Sequence, residues 1–242
     1  MNLKATDLVS LFEKSLEDYP DRNIEEIGFV VQVGDSICKV HGLNNAMYGE
    51  LIEFDGGNKG IILNLDEDYI TVFLLYAHIN VAELEIAKRT GSVFKAPVGD
   101  ALLGRVINAI GKPIDGLGSL NTDKFRPIEV DIPGIIARSP INESLETGIM
   151  VVDALIPIGK GQRELIIGNR NTGKTAIALD AILHQKGKNV ICIYVSIGGR
   201  QASLARTVRL LAENGSLEYT VIVSADAAEA ALDRYLAAYV GC

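Results

Sequence analysis

A glycine-rich segment carries the residues of this chain that are best suited to chemistry. Residues 168–175 read GNRNTGKT and fit the pattern G-x-x-x-x-G-K-[ST]. In a loop of this kind, backbone N–H groups face a chain of phosphates, and the positive end of the following helix faces the same anion. The sequence therefore predicts a phosphate-binding loop that consists of Gly168, Asn169, Arg170, Asn171, Thr172, Gly173, Lys174 and Thr175.

The residue types in this loop have different roles in binding a nucleotide. Gly168 lets the chain turn sharply out of a strand, and Gly173 removes a side chain where the backbone must approach the phosphates. Lys174 supplies a full positive charge to the β- and γ-phosphates, and the Thr175 hydroxyl is a ligand for Mg²⁺. Arg170 adds a planar cation that can pair with phosphate or stack on a base. We therefore expect ATP or ADP with Mg²⁺ as cofactor, and Thr175 as the metal-binding residue.

The segments on either side of the loop have the pattern of a parallel α/β domain. An apolar strand is predicted over residues 164–167, directly before the loop, and a helix over residues 175–184. Farther along the chain, continuous apolar runs, typical of strands covered on both faces, alternate with helical segments. These elements are strands over residues 189–195 and 220–224, and helices over residues 201–213 and 226–239. The alternation predicts a parallel sheet with helices on both faces.

The region before the loop has a different pattern, with short strands separated by Gly-, Asn- and Asp-rich turns. From about residue 24, β-branched and apolar residues alternate at Val31 and Val33 and continue through Ile37 to Val40. Residues 55–58 (DGGN) predict a hairpin turn. The consecutive acids at residues 66–68 cannot all point inward, so a solvated turn is preferred to a metal site. This pattern is typical of a small antiparallel barrel or sandwich.

An amphipathic helix is predicted near the N-terminus, over residues 6–18. Its apolar stripe consists of Leu8, Leu11, Phe12 and Leu16. A short helix cannot bury such a stripe by itself, so it must dock either on the body of this chain or on a partner.

Composition excludes several classes of function. The chain has 242 residues, with 23 Lys and Arg against 31 Asp and Glu, and a net charge of −8. An acidic chain is a poor general binder of nucleic acid, so phosphate must be bound at a local site. There is no Trp and aromatic residues are 6%, which disfavours a stacking platform for single-stranded nucleic acid. We therefore expect no nucleic-acid partner.

Several segments resemble one family, the alpha subunits of rotary (F-type) ATP synthases. The loop and its flanks, PIGKGQRELIIGNRNTGKTAIALDAI, are similar to that family's loop, which typically reads GDRQTGKT. VHGLNNAMYGE, APVGDALLGRVINAIGKPIDGLG and ESLETGIMVVDALIPIG are similar as well, so the resemblance runs along the whole chain. Asn169 and Asn171 depart from the family's Asp and Gln. Because alpha subunits normally continue far beyond this length, the resemblance implies an N-terminal portion.

The resemblance implies a mixed fold in three parts. These are an N-terminal amphipathic helix over residues 1–22, a small antiparallel β-barrel over residues 23–92, and a truncated α/β P-loop (RecA-like) nucleotide-binding domain with a parallel sheet over residues 93–242. In the family, an acidic strand that supports Mg²⁺ and an arginine that reaches the neighbouring site lie beyond the position of Cys242. We therefore expect an incomplete Mg²⁺ site and an unpaired sheet edge.

The resemblance also implies a non-catalytic role in a proton-translocating ATP synthase. Gly199 follows the second parallel strand, where catalytic beta subunits have a Glu that orients the attacking water and alpha subunits usually have Gln. A glycine can neither accept a proton nor position water through a side chain. This chain is therefore expected to bind ATP and Mg²⁺ without a catalytic residue of its own, as a regulatory or structural subunit of an enzyme complex that makes ATP from a proton gradient.

The partners and location follow from the same resemblance. They are beta subunits in an alternating hexameric ring, a gamma-type central stalk, and a delta-type peripheral-stalk subunit that contacts the N-terminal helix. The expected location is the cytoplasmic face of a bacterial plasma membrane, as a peripheral protein, in preference to an organelle membrane.

Two other functions compete with this one. A catalytic ATPase of the same superfamily, of the beta or protein-export type, is disfavoured because beta loops usually read GGAGVGKT and because of Gly199. An RNA helicase ring is disfavoured by the acidic charge and the low aromatic content.

Overall fold

The computed structural model describes residues 26–34, 36–75 and 81–242. The amphipathic helix predicted over residues 6–18, with its stripe of Leu8, Leu11, Phe12 and Leu16, lies outside the described residues.

The first six strands close into a barrel. In chain order they are β1 Ile27–Gly34, β2 Ile37–His41, β3 Glu50–Phe54, β4 Lys59–Leu65, β5 Ile70–Leu74 and β6 Ile86–Val93. Around the barrel the order is β1-β2-β5-β4-β3-β6, with β6 pairing back to β1, and every pair is antiparallel. Closure pairs every strand on both sides, so no edge remains open to association. The predicted antiparallel barrel is confirmed.

Alternating side chains fill the interior of the barrel. The buried core includes Val30, Cys38, Val40, Ile52, Phe54, Ile62 and Val72. The register of β1 against β2 shifts between Val30 and Gln32, and a shift of this kind locally changes which residues face inward. Val31 is exposed because it alternates with the buried Gly28 and Val30, so the alternation that begins at Val31 does not mark the inward side of β1.

The turns between these strands follow their local chemistry. Residues 55–58 join β3 to β4: the Phe54 N–H donates to the Asn58 carbonyl at 2.8 Å, and Gly57 has a φ of +78°. The predicted hairpin turn is therefore present. The acidic residues 66–68 join β4 to β5 and are exposed, as a solvated turn requires.

A stretch with little regular structure connects the barrel to the α/β region. It contains β7 Lys95–Pro97, which pairs with β9 Phe125–Pro127, and a short pairing of β10 Ser144–Leu145 with β11 Ile158–Gly159. Within it, Asp115 accepts hydrogen bonds from the Arg105 guanidinium at 2.6 and 2.9 Å and from the Val106 N–H at 3.1 Å. These bonds hold the loop after β8 Val106–Asn108 against the base of the sheet.

A three-stranded parallel sheet forms the centre of the second half. Its order is β12-β13-β8, where β12 is Cys192–Gly199 and β13 is Thr220–Asp226, and both pairings are parallel. The helices are α1 Met150–Leu155, α2 Lys174–Leu183, α3 Gln201–Glu213 and α4 Ala231–Gly241, with 3₁₀ turns at Asp100–Leu102, Ile135–Ala137 and Leu217–Tyr219. The predicted parallel sheet is confirmed.

Helices cover both faces of this sheet. On β13, Val221, Val223 and Ala225 belong to the cluster that contains Leu236 of α4. The intervening Ile222 belongs to a second cluster, with Leu179 of α2 and Leu211 of α3. Alternate residues of one strand therefore pack against helices on opposite sides. The first cluster also includes Ile61 and Leu75 of the barrel region, so barrel and sheet share a core.

One predicted strand is absent. Residues 164–167 are not part of any sheet, and Leu165 and Ile167 are 80% and 81% exposed. The prediction of a strand here is wrong for this structure, because apolar composition favours burial whereas a strand also needs a neighbour that completes its hydrogen bonds. Among the described strands, β12 pairs with β13 alone, so its other edge is unpaired.

Several element boundaries also differ from the sequence pattern, including the start of β12 at Cys192 rather than residue 189 and the end of β13 at Asp226 rather than residue 224. β12 continues to Gly199 because pairing with β13 extends to the Gly199–Asp226 pair. α4 begins at Ala231 rather than near residue 226, because Asp226 and Glu229 bond to nearby backbone N–H groups at 3.2 and 3.0 Å. Such local bonds compete with helix formation.

Candidate functional site

The glycine-rich loop leads directly into α2. Gly173 is the N-cap residue and has a φ of +85°, a left-handed conformation that glycine adopts at little cost. The first helical bond runs from the Ile177 N–H to the Gly173 carbonyl at 3.1 Å. The N–H groups of the first helical turn therefore have no partner within the helix, and the helix dipole adds positive potential there. This end of α2 is suited to an anion.

The Lys174 ammonium lies against the start of the loop. Its Nζ donates to the Gly168 carbonyl at 2.8 Å and also to the Asn169 carbonyl. The Thr172 hydroxyl donates to the same Asn169 carbonyl at 2.8 Å. The loop is therefore curled around the lysine, with its first two carbonyls turned toward the charge.

The other predicted residues lie on the exposed side of this loop. Asn169, Arg170, Asn171 and Thr175 are exposed, whereas Lys174 is half-buried. A β-carbon on Gly168 would lie 2.8 Å from the Thr172 hydroxyl oxygen, so a side chain at Gly168 would crowd the curl. The structure brings residues 168–175 together around the N-terminus of α2. Their assignment to a nucleotide stays a prediction.

The carboxyl ends of the parallel strands meet at one edge of the sheet. β8 ends at Asn108, β12 at Gly199 and β13 at Asp226, with Gly199 and Asp226 paired across the two longer strands. In open α/β sheets, ligands bind in the crevice beyond this edge. Gly199 brings no functional side chain there, and a β-carbon on it would lie 2.7 Å from the Ser196 hydroxyl.

Sequence reasoning missed an acidic group beside this edge. Asp233 of α4 is 4% exposed, and its Oδ1 has no hydrogen-bond partner. Burial and the neighbouring Glu229 carboxylate raise the pKa of Asp233 to about 6, while a backbone hydrogen bond at Ala230 opposes the shift. Helical spacing was the available signal, because Asp233 shares a face with the buried Leu236 and Ala237.

Thr175, the predicted metal ligand, is the second residue of α2 and is exposed. No group of three or more His, Cys, Asp or Glu side chains in the part of the chain that the structure describes is arranged to hold a metal ion. The assignment of Thr175 to Mg²⁺ stays a prediction.

No helix among the described residues has both the length and the apolar character needed to cross a membrane.

The chain has a closed antiparallel barrel, then a glycine-rich loop that leads into a helix, and a parallel sheet. These features define a P-loop protein with an N-terminal β-barrel. Two family descriptions match this chain: the beta-barrel domain of the ATP synthase alpha/beta family over residues 23–91, and the nucleotide-binding domain of the same family over residues 148–242. Together they cover more than half of the residues. The chain belongs to the ATP synthase alpha/beta family.

Similar proteins carry the name ATP synthase subunit alpha. The chain is 49% identical over 243 residues to that of Acetivibrio thermocellus, and 48% identical over 242 residues to those of Lactobacillus delbrueckii subsp. bulgaricus and Sulfurovum sp.. Each match includes 100% of this chain and 48% of the relative. The chain thus spans about half the length of the curated relatives it matches.

Proposed function

We propose that this chain is a nucleotide-binding, non-catalytic alpha subunit of a proton-translocating ATP synthase, and that it binds ATP or ADP with Mg²⁺ through residues 168–175. The observation that carries the proposal is the placement of Lys174 and Thr175 at the N-terminus of α2, in a loop whose family is named for ATP synthesis. In this role the chain supports the synthesis of ATP from ADP and phosphate without performing the chemical step.

The loop geometry supports phosphate binding in preference to a purely structural turn. The unpaired N–H groups of the first turn of α2 and the helix dipole favour an anion, and Lys174 adds a full charge at the same end. Arg170 is exposed on the same loop. With a net charge of −8, the rest of the chain does not attract a polyphosphate, so this local site must supply the binding energy.

The carboxyl edge of the sheet supports a non-catalytic role. Gly199 ends β12 at the edge where a water-positioning side chain would be useful, and it provides none. The rival assignment, a catalytic ATPase of the beta or protein-export type, would require such a group.

The quaternary part of the proposal is assembly with beta subunits in an alternating hexameric ring, with a gamma-type central stalk and a delta-type peripheral-stalk subunit that contacts the N-terminal helix. Apolar side chains on the irregular stretch support a covered surface: Ile135 is 89% exposed and Ile136 is 100% exposed. Adjacent exposed apolar side chains of this kind are typical of surfaces that contact another protein. The proposed location is peripheral, at the cytoplasmic face of a bacterial plasma membrane.

Binding of a fluorescent ATP analogue with Mg²⁺ to the 242-residue chain tests the proposed site. Lys174→Ala is expected to weaken binding about tenfold or more, since a hydrogen bond to a charged group contributes about 1.5–3 kcal/mol. Lys95→Ala removes the same charge from an exposed position on β7 and is the matched control. Equal affinities of Lys174→Ala and wild-type protein would contradict the site.

A separate measurement tests the absence of catalysis. Radiolabelled ATP is mixed with excess protein, and phosphate release is followed in a single turnover. We expect binding without release above the uncatalysed rate. Release at the rate of a catalytic subunit would replace the proposal by the ATPase alternative.

A further inference from the structure

Asn171 has a backbone conformation that few residue types adopt easily. Its φ is +61°, and within residues 168–175 it shares the left-handed region only with Gly173, at +85°. Side chains with a β-carbon are disfavoured there, and asparagine is among the few that visit this region routinely. At this position the resembling alpha subunits typically have glutamine, which lacks that advantage.

The turn at Asn171 connects the two halves of the loop. Before it lie Gly168 and Asn169, whose carbonyls accept from the Lys174 ammonium. After it lie Thr172, whose hydroxyl donates back to the Asn169 carbonyl at 2.8 Å, and then the N-terminus of α2. The left-handed residue thus lies between the carbonyls that face Lys174 and the start of α2.

The Asn171 side chain does not explain this conformation by its own contacts. It is exposed, and its amide makes no hydrogen bond to another residue in the described ranges. Asparagine therefore contributes here through the ease with which its backbone adopts a positive φ.

We propose that Asn171 is a positioning residue, which sets the loop backbone in the phosphate-binding conformation before the nucleotide arrives. The inference rests on the proposed nucleotide-binding function and deepens it. A loop already in its bound conformation has less conformational entropy to lose on binding, so its affinity is higher. A residue that disfavours the left-handed region should reduce the fraction of molecules whose loop has the binding conformation. The affinity should fall in proportion to that fraction.

The test compares Asn171→Gly, Asn171→Gln and Asn171→Val by titration with the fluorescent ATP analogue and Mg²⁺. Glycine keeps the left-handed backbone and removes the amide, so its affinity should stay within about twofold of wild type. Glutamine keeps an amide but tolerates the backbone less well, and about two- to fivefold weaker binding is expected. Valine, which is β-branched, should weaken binding about tenfold or more.

Asn189 provides a matched control, because it too is an asparagine with a positive φ, +55°, but lies in the turn after α2. Asn189→Gln should leave nucleotide affinity unchanged. Thermal unfolding is measured for every variant, since a merely structural role of Asn171 would lower the melting temperature while the folded protein bound nucleotide as before.

The affinities and melting temperatures together distinguish a positioning role of Asn171 from a direct contact with the ligand and from a purely structural role. Weak binding by Asn171→Gly together with normal binding by Asn171→Gln would show a direct contact of the amide with the ligand and would overturn the inference. Equal affinity of all the variants would overturn it as well. If the wild-type chain binds no nucleotide, the proposed function itself fails, and this result is distinct from a wrong order among variants.

Discussion

Replacing the buried carboxylate of Asp233 with an amide should stabilise this protein at neutral pH. The side chain is 4% exposed on α4, and its Oδ1 has no partner. Burial, together with the charge of Glu229, raises the pKa of Asp233 to about 6. The pKa of Glu229 is itself raised, chiefly by burial. A second carboxylate offers no positive charge that could compensate the charge of Asp233. The charged form of Asp233 is therefore unfavourable in the folded protein.

The pKa gives the size and the sign of this effect. A free aspartate has a pKa of about 3.9, and each pKa unit corresponds to about 1.4 kcal/mol. A folded-state pKa of about 6 therefore corresponds to a penalty of up to ~3 kcal/mol once the group is ionised. Because the folded state holds the proton more tightly, this group favours folding below about pH 4. That contribution is lost as the pH rises to about 6.

Urea unfolding of Asp233→Asn and wild-type protein, followed by circular dichroism at pH 4.5, 6 and 8, measures the effect. The amide does not ionise, so Asp233→Asn should exceed wild type by about 1–3 kcal/mol at pH 8, with a smaller gap at pH 4.5. The lower figure allows for the hydrogen bonds that the buried amide still lacks. Asp123→Asn makes the same change at an exposed position and should leave the stability nearly unchanged. A variant less stable than wild type at pH 8, or a gap independent of pH, would refute the reasoning.

Two further predictions concern ion pairs that hold the barrel and the connecting stretch. Glu50 is fully buried and accepts hydrogen bonds from the Arg89 Nε at 3.1 Å and from the Gly91 N–H at 2.9 Å. Glu50→Ala should therefore lower the free energy of unfolding, measured by thermal unfolding, by about 3–5 kcal/mol. Glu53→Ala, an exposed control, should lower it little. The Arg105 guanidinium holds the pKa of Asp115 well below its usual range, so this pair stabilises the fold above about pH 4 and loses its contribution as the pH falls farther. Asp115→Asn should therefore lower stability at pH 7 and flatten the acid limb of a stability–pH curve, whereas an unchanged limb would contradict the assignment.

Local patterns in the sequence predicted the helices and the loop well, because these depend on neighbouring residues. The helix predicted over residues 201–213 has those bounds as α3, and the helix predicted over residues 175–184 differs from α2 by one residue at each end. The loop pattern likewise identified the residues that gather at the N-terminus of α2. Spacing alone does not specify torsion angles, however, so neither the positive φ of Asn171 nor the turn of two carbonyls toward Lys174 could be predicted.

Pairing between distant segments could not be read from the sequence. The barrel was expected as a class of fold, but closure depends on β1 meeting β6 and β2 meeting β5, and no local pattern encodes those partners. The same limitation explains the wrong prediction at residues 164–167, where an apolar run has no strand beside it. The loop motif gives no information on Asp233, because this acid lies on the buried face of α4, far along the chain from residues 168–175.

The two departures of this loop from the family pattern act on different terms of the same binding equilibrium. Asn169 stands where the family has aspartate, so one negative charge is missing beside the expected position of the phosphates, and less Coulomb repulsion opposes them. Asn171 replaces glutamine at a position with a φ of +61°, so less conformational freedom is lost when the loop closes on a ligand. The first term weakens with added salt and the second does not. Both favour the anion, in a chain whose net charge of −8 opposes it at long range. In the proposed site, the attraction for the phosphates is therefore concentrated in the loop and in the first turn of α2.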